Sequence, residues 1–264
     1  MLEDVDAGGR NRDAWNVAAR KYVEETAALA AEAQANSSLL PIERELLSGV
    51  MKSLPRVLHL QSGQGLDSID LSRSGASQVV AVDFSEVTTG AAARRSRALG
   101  ASVGFVVGDA LAVPLRSEVA DLVYTGKGAL MWLADLSVWA VEVARLLVRG
   151  GHLFVFEEHP AASLWTGDDQ TPGLRVDRTY FGGTRVNDTF PASAIRRFSD
   201  DPGLVAVEWQ WTMADLVNAV VGAGMSIMRL DEYPEPFWRP ADGTNAAAWN
   251  GTLPNSMSLL ARRT

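Results

Sequence analysis

From residue 56 onward the chain alternates short, nearly continuous apolar runs with amphipathic stretches, whereas the first fifty positions read as helical, with apolar residues at three-and-four spacing and an alanine-rich stretch. Trp15, Ala18, Ala19 and Tyr22 fall on one face of a helix that Asn11 would cap and that continues through an alanine-rich stretch to about Asn36. Pro41, a favoured first-turn residue, opens a second helix reaching about Lys52. Strands are expected at 56–61, 78–83, 103–107, 120–125 and 153–157. The intervening helices occupy 66–74 and a stretch from a Ser85 cap to Gly100, and a last one carries Leu136, Trp139, Ala140, Val143 and Leu147 until Gly150 and Gly151 stop it. Such alternation predicts a parallel sheet covered on both faces, a doubly wound α/β fold.

The pattern dissolves between residues 160 and 203 into Gly, Pro, Asp and Arg. A structureless loop of that length is unusual in a compact domain, so a lid or hairpin arm is expected. Thr212 then caps a helix bearing Met213, Leu216, Val217, Val220 and Val221, and 225–230 and 256–261 read as two final strands.

Composition narrows the function classes. The 264 residues, 47% of them hydrophobic, suffice for one substantial core. No apolar run approaches the roughly 20 residues needed to span a bilayer, and the polar, acidic start lacks the apolar stretch of a signal peptide. There is no cysteine, which excludes disulfides and thiolate metal sites and fits a reducing cytoplasm. A net charge of −8 argues against nucleic acid as partner, and Arg94, Arg95 and Arg97 read as a solvated helix face. Asp168, Asp169, Asp200 and Asp201 form acidic pairs in loops with no His or Cys nearby, so no metal site is expected.

The sharpest local signal is the strand–turn–helix unit spanning residues 56–71. Gly63 and Gly65 let the backbone turn tightly and approach a ligand at the carboxyl end of the first strand, where open α/β sheets bind their ligands; a purely structural turn is the alternative. Asp83 ends the second strand about 18–20 positions later, placed either to accept both ribose hydroxyls of an adenosine or to cap the next helix. Gly108, Asp109 and Ala110 follow the third strand, where a carboxylate accepts a hydrogen bond from an adenine amino group or serves an ordinary turn.

With these elements in order, the stretch from Arg56 to Glu158 resembles the class I S-adenosylmethionine-dependent methyltransferases, most closely the bacterial small-molecule group whose first strand reads HLQ-x-x-x-G-x-D. Here those residues are His59, Leu60, Gln61, Gly65 and Asp67, and the likeness continues in Glu158, His159 and Pro160 and in the 211–216 helix start. The resemblance implies a Rossmann-like sheet of seven strands, the last antiparallel, with S-adenosylmethionine as cofactor and S-adenosylhomocysteine as product. It divides a single domain into a helical cap (1–54), a cofactor-binding core (55–159), an arm or lid insertion (160–208) and the C-terminal part of the sheet (209–264). The implied cofactor-binding residues are Gln61, Gly63, Gly65, Asp67, Asp83, Phe84, Gly108, Asp109, Ala110, Gly126 and Lys127. The wider class places an acid where His59 stands and a glycine where Gln61 stands; Asp67 would take over the acid's charge toward the cofactor's ammonium. The backbone of Lys127 is the expected contact, with its ammonium turned to solvent.

The implied reaction is in-line methyl transfer to a small molecule, a phenol, indole or amine of secondary metabolism being the preferred acceptor. His159, just past the fifth strand, is the candidate general base, with a pKa range suited to that task, and Glu158 would orient its ring. Tyr22 of the N-terminal helix is the candidate partner of acceptor or sulfonium, with Trp15 beside it. His59 reads as a core residue, His152 as structural, and Trp132 and Trp139 as core. Trp165, Trp209, Trp211, Trp238 and Trp249 suit a cover over a flat acceptor. Two alternatives stand beside this reading. An NAD-dependent oxidoreductase shares the turn and the strand-two acid but needs a third glycine where Ser68 stands. A non-catalytic S-adenosylmethionine-binding module shares the whole cofactor pattern. The oligomeric state is not legible.

Overall fold

The computed structural model describes residues 7–165, 173–237 and 251–264. Asp168, Asp169, Trp238 and Trp249 lie outside the described residues.

Seven strands form one sheet. They are β1 (Arg56–Leu60), β2 (Gln78–Asp83), β3 (Val103–Val107), β4 (Ala120–Gly126), β5 (Leu147–Glu158), β8 (Met225–Tyr233) and β9 (Ser256–Arg263), in the order β3-β2-β1-β4-β5-β9-β8. The β1 to β5 pairings are parallel, and β9 runs antiparallel to both β5 and β8. The order reverses at β1, whose neighbours are β2 and β4, so the crevice at the carboxyl ends of these strands is the topological switch point.

Both faces are covered, as the apolar runs require. On one face α7 (Leu136–Leu146) and α9 (Met213–Gly222) bury Trp139, Val143 and Leu216 against Leu58, Val123 and Val155. On the other, α4 (Pro41–Met51) and α5 (Leu66–Arg73) set Leu47, Met51 and Leu71 on Val57, Leu122 and Phe154. The helix α6 (Glu86–Ala98) starts from a Ser85 cap whose hydroxyl accepts from the Thr88 amide at 3.1 Å, and Thr212 and Asp215 form a reciprocal capping box on α9.

Three elements depart from the sequence expectation. The single helix of 11–36 is broken into α1 (Ala7–Ala18), α2 (Arg20–Glu24) and α3 (Thr26–Ala35). Asn11 lies inside α1 and is fully buried, its amide exchanging two hydrogen bonds with the backbone of Val207 (2.7 and 2.8 Å), so it is an anchor and not a cap. The helix expected to run to the paired glycines stops at Leu146, and β5 starts at once; a register shift opposite Ala120 and Leu122 accommodates Gly150 at φ +77°. The 160–208 stretch holds β6 (Thr184–Val186) and β7 (Val207–Trp209), paired antiparallel, with α8 (Ala192–Phe198) between them. Ala194 and Ile195 of α8 pack against Ala14 and Ala18 of α1, so arm and N-terminal helix form one layer.

Candidate active site

Chain reversal after β1 is sharp. Gln61, Gly63 and Gly65 all have positive φ (+53°, +50° and +76°), and the turn is closed by Gly65 N–H donating to the Ser62 carbonyl at 2.9 Å. A Cβ at Gly65 would stand 2.8 Å from that of Ala92, so glycine is needed both for the left-handed backbone and for the approach of α6. Ser68, at the third position of a dinucleotide fingerprint, is fully buried and bonded through Oγ to His59 Nδ1 at 2.7 Å. Burial holds the His59 imidazole down to about 4, so it is neutral and part of the core wall.

Asp83 closes β2 with its carboxylate drawn back over the turn: Oδ2 accepts the Gly63 amide and Oδ1 the Ser85 amide, both at 2.9 Å. Desolvation pushes this carboxyl up to about 6 despite the two amides. The Gly108 amide donates to the Asp83 carbonyl at 3.0 Å, which sets the β2 and β3 tips side by side, and Asp109 Oδ1 accepts the Leu111 amide at 2.9 Å.

A cavity of about 560 Å³ opens over these strand tips. Every residue expected at the cofactor lines it, from Gln61 and the glycine turn through Asp83, Phe84 and Asp109 to Gly126 and Lys127. Gly126 is dictated by packing: at φ +155° an added Cβ would lie 1.9 Å from the Phe156 carbonyl oxygen. Behind this wall Glu157 is buried and accepts the amides of Gly128 (2.6 Å), Ala129 (2.5 Å) and Leu130 (2.9 Å), holding the loop after β4 in place.

The Lys127 ammonium does not face solvent as expected. It donates to the Ser38 carbonyl (2.8 Å) and pairs with Asp67 Oδ1 (2.9 Å) and Glu43 Oε2 (3.0 Å), because the positive φ of +60° turns its side chain back along the sheet toward α4 and α5. Asp67 therefore has a cationic partner already and is not a free carboxylate. Glu43, a fully buried group of α4, went unnoticed in the sequence although it had a signal: Glu43, Leu47 and Met51 lie four residues apart, which puts a carboxylate on the buried stripe of an amphipathic helix. Arg95 was likewise misplaced. Arg94 and Arg97 are exposed, but Arg95 is fully buried and donates to the carbonyls of Gln64 and Tyr22, tying the glycine turn to α2.

Of the catalytic candidates, Tyr22 reaches the cavity and His159 and Glu158 do not. Tyr22 is buried, and desolvation raises its phenol above the ordinary range, so it stays protonated. Trp15 also lines the cavity, and so does Trp132, which had been expected in the core; their rings meet edge-on at 5.2 Å, with Phe190 5.5 Å from Trp15. Trp139 alone of the expected pair is core. His159 and Glu158 line a separate cavity of about 60 Å³ together with Trp209 and Trp211. His159 Nδ1 accepts the Ala161 amide (3.1 Å) and Nε2 meets Glu232 Oε1 (2.7 Å), so both nitrogens are engaged and neither is free to take a proton from an acceptor. Burial lowers its pKa, opposed by Glu232, and Glu158, the last residue of β5, is exposed. The structure thus places His159 and Glu158 together in this second cavity, apart from the residues that line the larger one.

Residues 58–155 match the family model of a methyltransferase domain. Among solved structures, an S-adenosylmethionine-dependent methyltransferase from Mesorhizobium loti is similar at a TM-score of 0.58 and 22% identity, over 82% of this chain and 97% of that one. A SAM-dependent methyltransferase from Methanosarcina mazei gives 0.58 and 17%, over 85% and 98%. The geranyl diphosphate C-methyltransferase from Streptomyces coelicolor, in complex with Mg2+, geranyl diphosphate and S-adenosyl-L-homocysteine, gives 0.56 and 15%, over 84% and 78%. At these identities the likeness is one of fold. No curated protein matches the chain.

Proposed function

We propose that the chain, whose residues 58–155 match a methyltransferase domain, is a class I, S-adenosylmethionine-dependent enzyme that transfers the cofactor's methyl group to a small, flat, largely apolar acceptor. One observation carries the proposal. A single cavity, of a size usual for small-molecule sites, joins the glycine turn and the Asp83 and Asp109 tips to an aromatic wall of Trp15, Tyr22 and Trp132.

The residues present suit an adenosyl cofactor. Each Asp83 oxygen accepts one amide and keeps a second lone-pair direction for a ribose hydroxyl. Asp109 serves the adenine amino group, and Phe84 and Ala110 give the base apolar flanks. Gln61 is held by donating to the Ala129 carbonyl at 2.7 Å, so the turn presents a fixed surface. The bound cofactor supplies a sulfonium methyl group, whose bond to sulfur breaks as the bond to the acceptor forms. The chain contributes position and a water-poor setting, which suffice for several kcal/mol in such displacements.

No proton transfer is assigned to His159. Tyr22, which stays protonated, acts as a hydrogen-bond donor and not as a base. An acceptor that is nucleophilic as it binds, such as a phenolate, a neutral amine or an electron-rich indole carbon, is the kind this wall suits. The test is calorimetry with S-adenosylhomocysteine followed by methyl transfer to a panel of phenols, indoles and amines. Heat of binding and product with at least one aromatic class are expected; absent heat overturns the cofactor assignment, and binding without product across the panel leaves only a cofactor-binding module.

A further inference from the structure

Resting on the cofactor assignment above, the inference concerns the buried cluster behind the cavity wall. Glu43 of α4, Asp67 of α5 and Lys127 after β4 meet around the Tyr124 hydroxyl, which lies 2.5 Å from Glu43 Oε1 and 3.3 Å from Asp67 Oδ2. That hydroxyl owns one proton and can donate it to one carboxylate only. Both contacts are hydrogen bonds when a second proton sits on a carboxyl, so that Glu43 donates to Tyr124 and Tyr124 donates to Asp67. Glu43 is the place for it: its side chain has no exposed surface, whereas Asp67 has 14%, and although Lys127 reaches both carboxyls, the Lys127 ammonium (3.0 Å) and the Leu40 amide (2.8 Å) both meet Glu43 Oε2, which leaves Oε1 to carry the proton toward Tyr124. Two carboxylates with one ammonium between them, out of water, do not both ionise readily.

The other groups packed around Glu43 do not change this balance. His59 on β1 is neutral, Asp70 on α5 is bound to the Ser37 hydroxyl (2.8 Å) and the Ser38 amide (2.5 Å), and β5 presents the apolar Phe154 and Phe156. On its own helix, Arg44 is turned away to the Leu39 carbonyl. All three Lys127 N–H groups have partners, so Lys127 is not available to a ligand's carboxylate. Desolvation raises both carboxyls and Lys127 lowers both, with Glu43 left above its ordinary range and Asp67 below, in agreement with the proton assignment.

We propose that Glu43 is a positioning residue that holds a proton in the unliganded enzyme and releases it when the ammonium of the cofactor's amino-acid end docks on Asp67. The exchange balances. The ligand ammonium brings one positive charge to Asp67, Lys127 turns its charge to Glu43, the Glu43 O–H bond breaks, and the proton leaves to the buffer. The N-terminal cap thereby contributes a charge to cofactor recognition from a residue that never touches the cofactor.

Proton release is read by titrating the full-length enzyme calorimetrically at pH 7.5 in buffers of different ionisation heat. The ligands are S-adenosylhomocysteine and 5′-methylthioadenosine, which has the same nucleoside without the amino-acid end. Because both ligands meet Asp83, any proton exchange there cancels in the comparison. The expected result is release of up to about one proton more with S-adenosylhomocysteine than with 5′-methylthioadenosine, and loss of that excess in Glu43→Gln while binding persists. Equal proton counts for the two ligands, or an excess unchanged in Glu43→Gln, overturns the inference and leaves the cofactor assignment standing. Should Glu43→Gln fail to fold, Tyr124→Phe, which removes the bridging hydroxyl, must alter the excess, and an unaltered excess likewise overturns it. No binding of S-adenosylhomocysteine at all overturns both the inference and the assignment on which it rests.

Discussion

Replacing Asp83 by Asn separates binding from folding in a way the geometry allows to be worked through. The carboxyl stands at about 6 against an ordinary 3.8, a difference of about two pH units, and each unit corresponds to about 1.4 kcal/mol. A carboxyl whose folded pKa is raised contributes most below its unfolded pKa and loses that contribution as pH climbs through the folded value. Between pH 4 and 7 the parent therefore gives up about 3 kcal/mol at this one residue, which is 7% exposed and only weakly screened. Asn removes that titration. It also leaves one of the Gly63 and Ser85 amides without an acceptor, at a cost of about 1–3 kcal/mol. The two effects nearly cancel at pH 7.5, so unliganded Asp83→Asn should be about as stable as the parent there and less stable at pH 4. Cofactor binding has no such compensation. Two hydrogen bonds from ribose to a charged acceptor, at about 1.5–3 kcal/mol each, amount to a loss of about 10²- to 10⁴-fold in affinity.

Urea unfolding of both proteins between pH 4 and 7.5, with calorimetry using S-adenosylhomocysteine at pH 7.5, tests both halves. A stability difference that stays constant across this range removes the argument for a desolvated carboxylate at the tip of β2. Parent-like affinity in the variant removes the ribose contact. In the parent, affinity should also fall about tenfold per pH unit below 6, since the ligand hydroxyls need the ionised form.

Three other substitutions probe the rest of the site. Gly126→Ala places a methyl 1.9 Å from the Phe156 carbonyl that also accepts the Lys127 amide at 2.7 Å, so loss of soluble folded protein is expected, and a parent-like melting temperature would contradict the packing. Trp132→Ala should leave the S-adenosylhomocysteine Kd within about twofold while raising acceptor KM about tenfold or more, equivalent to about 1.4 kcal/mol of lost contact. His159→Ala should lower the melting temperature by a few degrees through its lost Glu232 and Ala161 partners and change turnover less than about twofold; a large fall in kcat with an intact fold would return this histidine to the reaction.

The strand-tip half of the cavity was legible because its determinants are short and local. A glycine turn, an acid at the end of the next strand and a glycine–acid pair after the third are each set by a few consecutive residues, and parallel strands bring their tips together at the switch point whatever the details of packing. The strands themselves were legible for the same reason, as uninterrupted apolar runs. Local signals failed where partners are remote. Asn11 has the residue type of a cap, but its partner is Val207; Arg95 sits in a basic cluster, but the carbonyls of Gln64 and Tyr22 claim it; and the Lys127 ammonium turns to α4 and α5.

His159 shows how a residue that follows a strand can lie outside the cavity at the neighbouring strand tips. The residue does follow β5, whose neighbour β4 ends in Gly126 at the cavity, yet β5 is long and pairs on its other side with β9, so its last residues are carried past the switch point. There the ring meets Glu232 of β8 and the Ala161 amide, and the side chain that does face the β4 loop is Glu157, one pleat earlier, binding amides instead of substrate. The aromatic wall of Trp15, Tyr22 and Trp132, proposed above to meet the acceptor, draws on α1, α2 and the loop after β4, elements about a hundred residues apart whose meeting no local pattern encodes. Trp15 and Tyr22 of this wall pack with Leu66 and Val87, next to the glycine turn and at the start of α6. In the proposed reading the acceptor is met by Trp15 and Trp132, whereas Gly65 and Gly126 are fixed by packing and Asp83 by the Gly63 amide, constraints that do not depend on the acceptor.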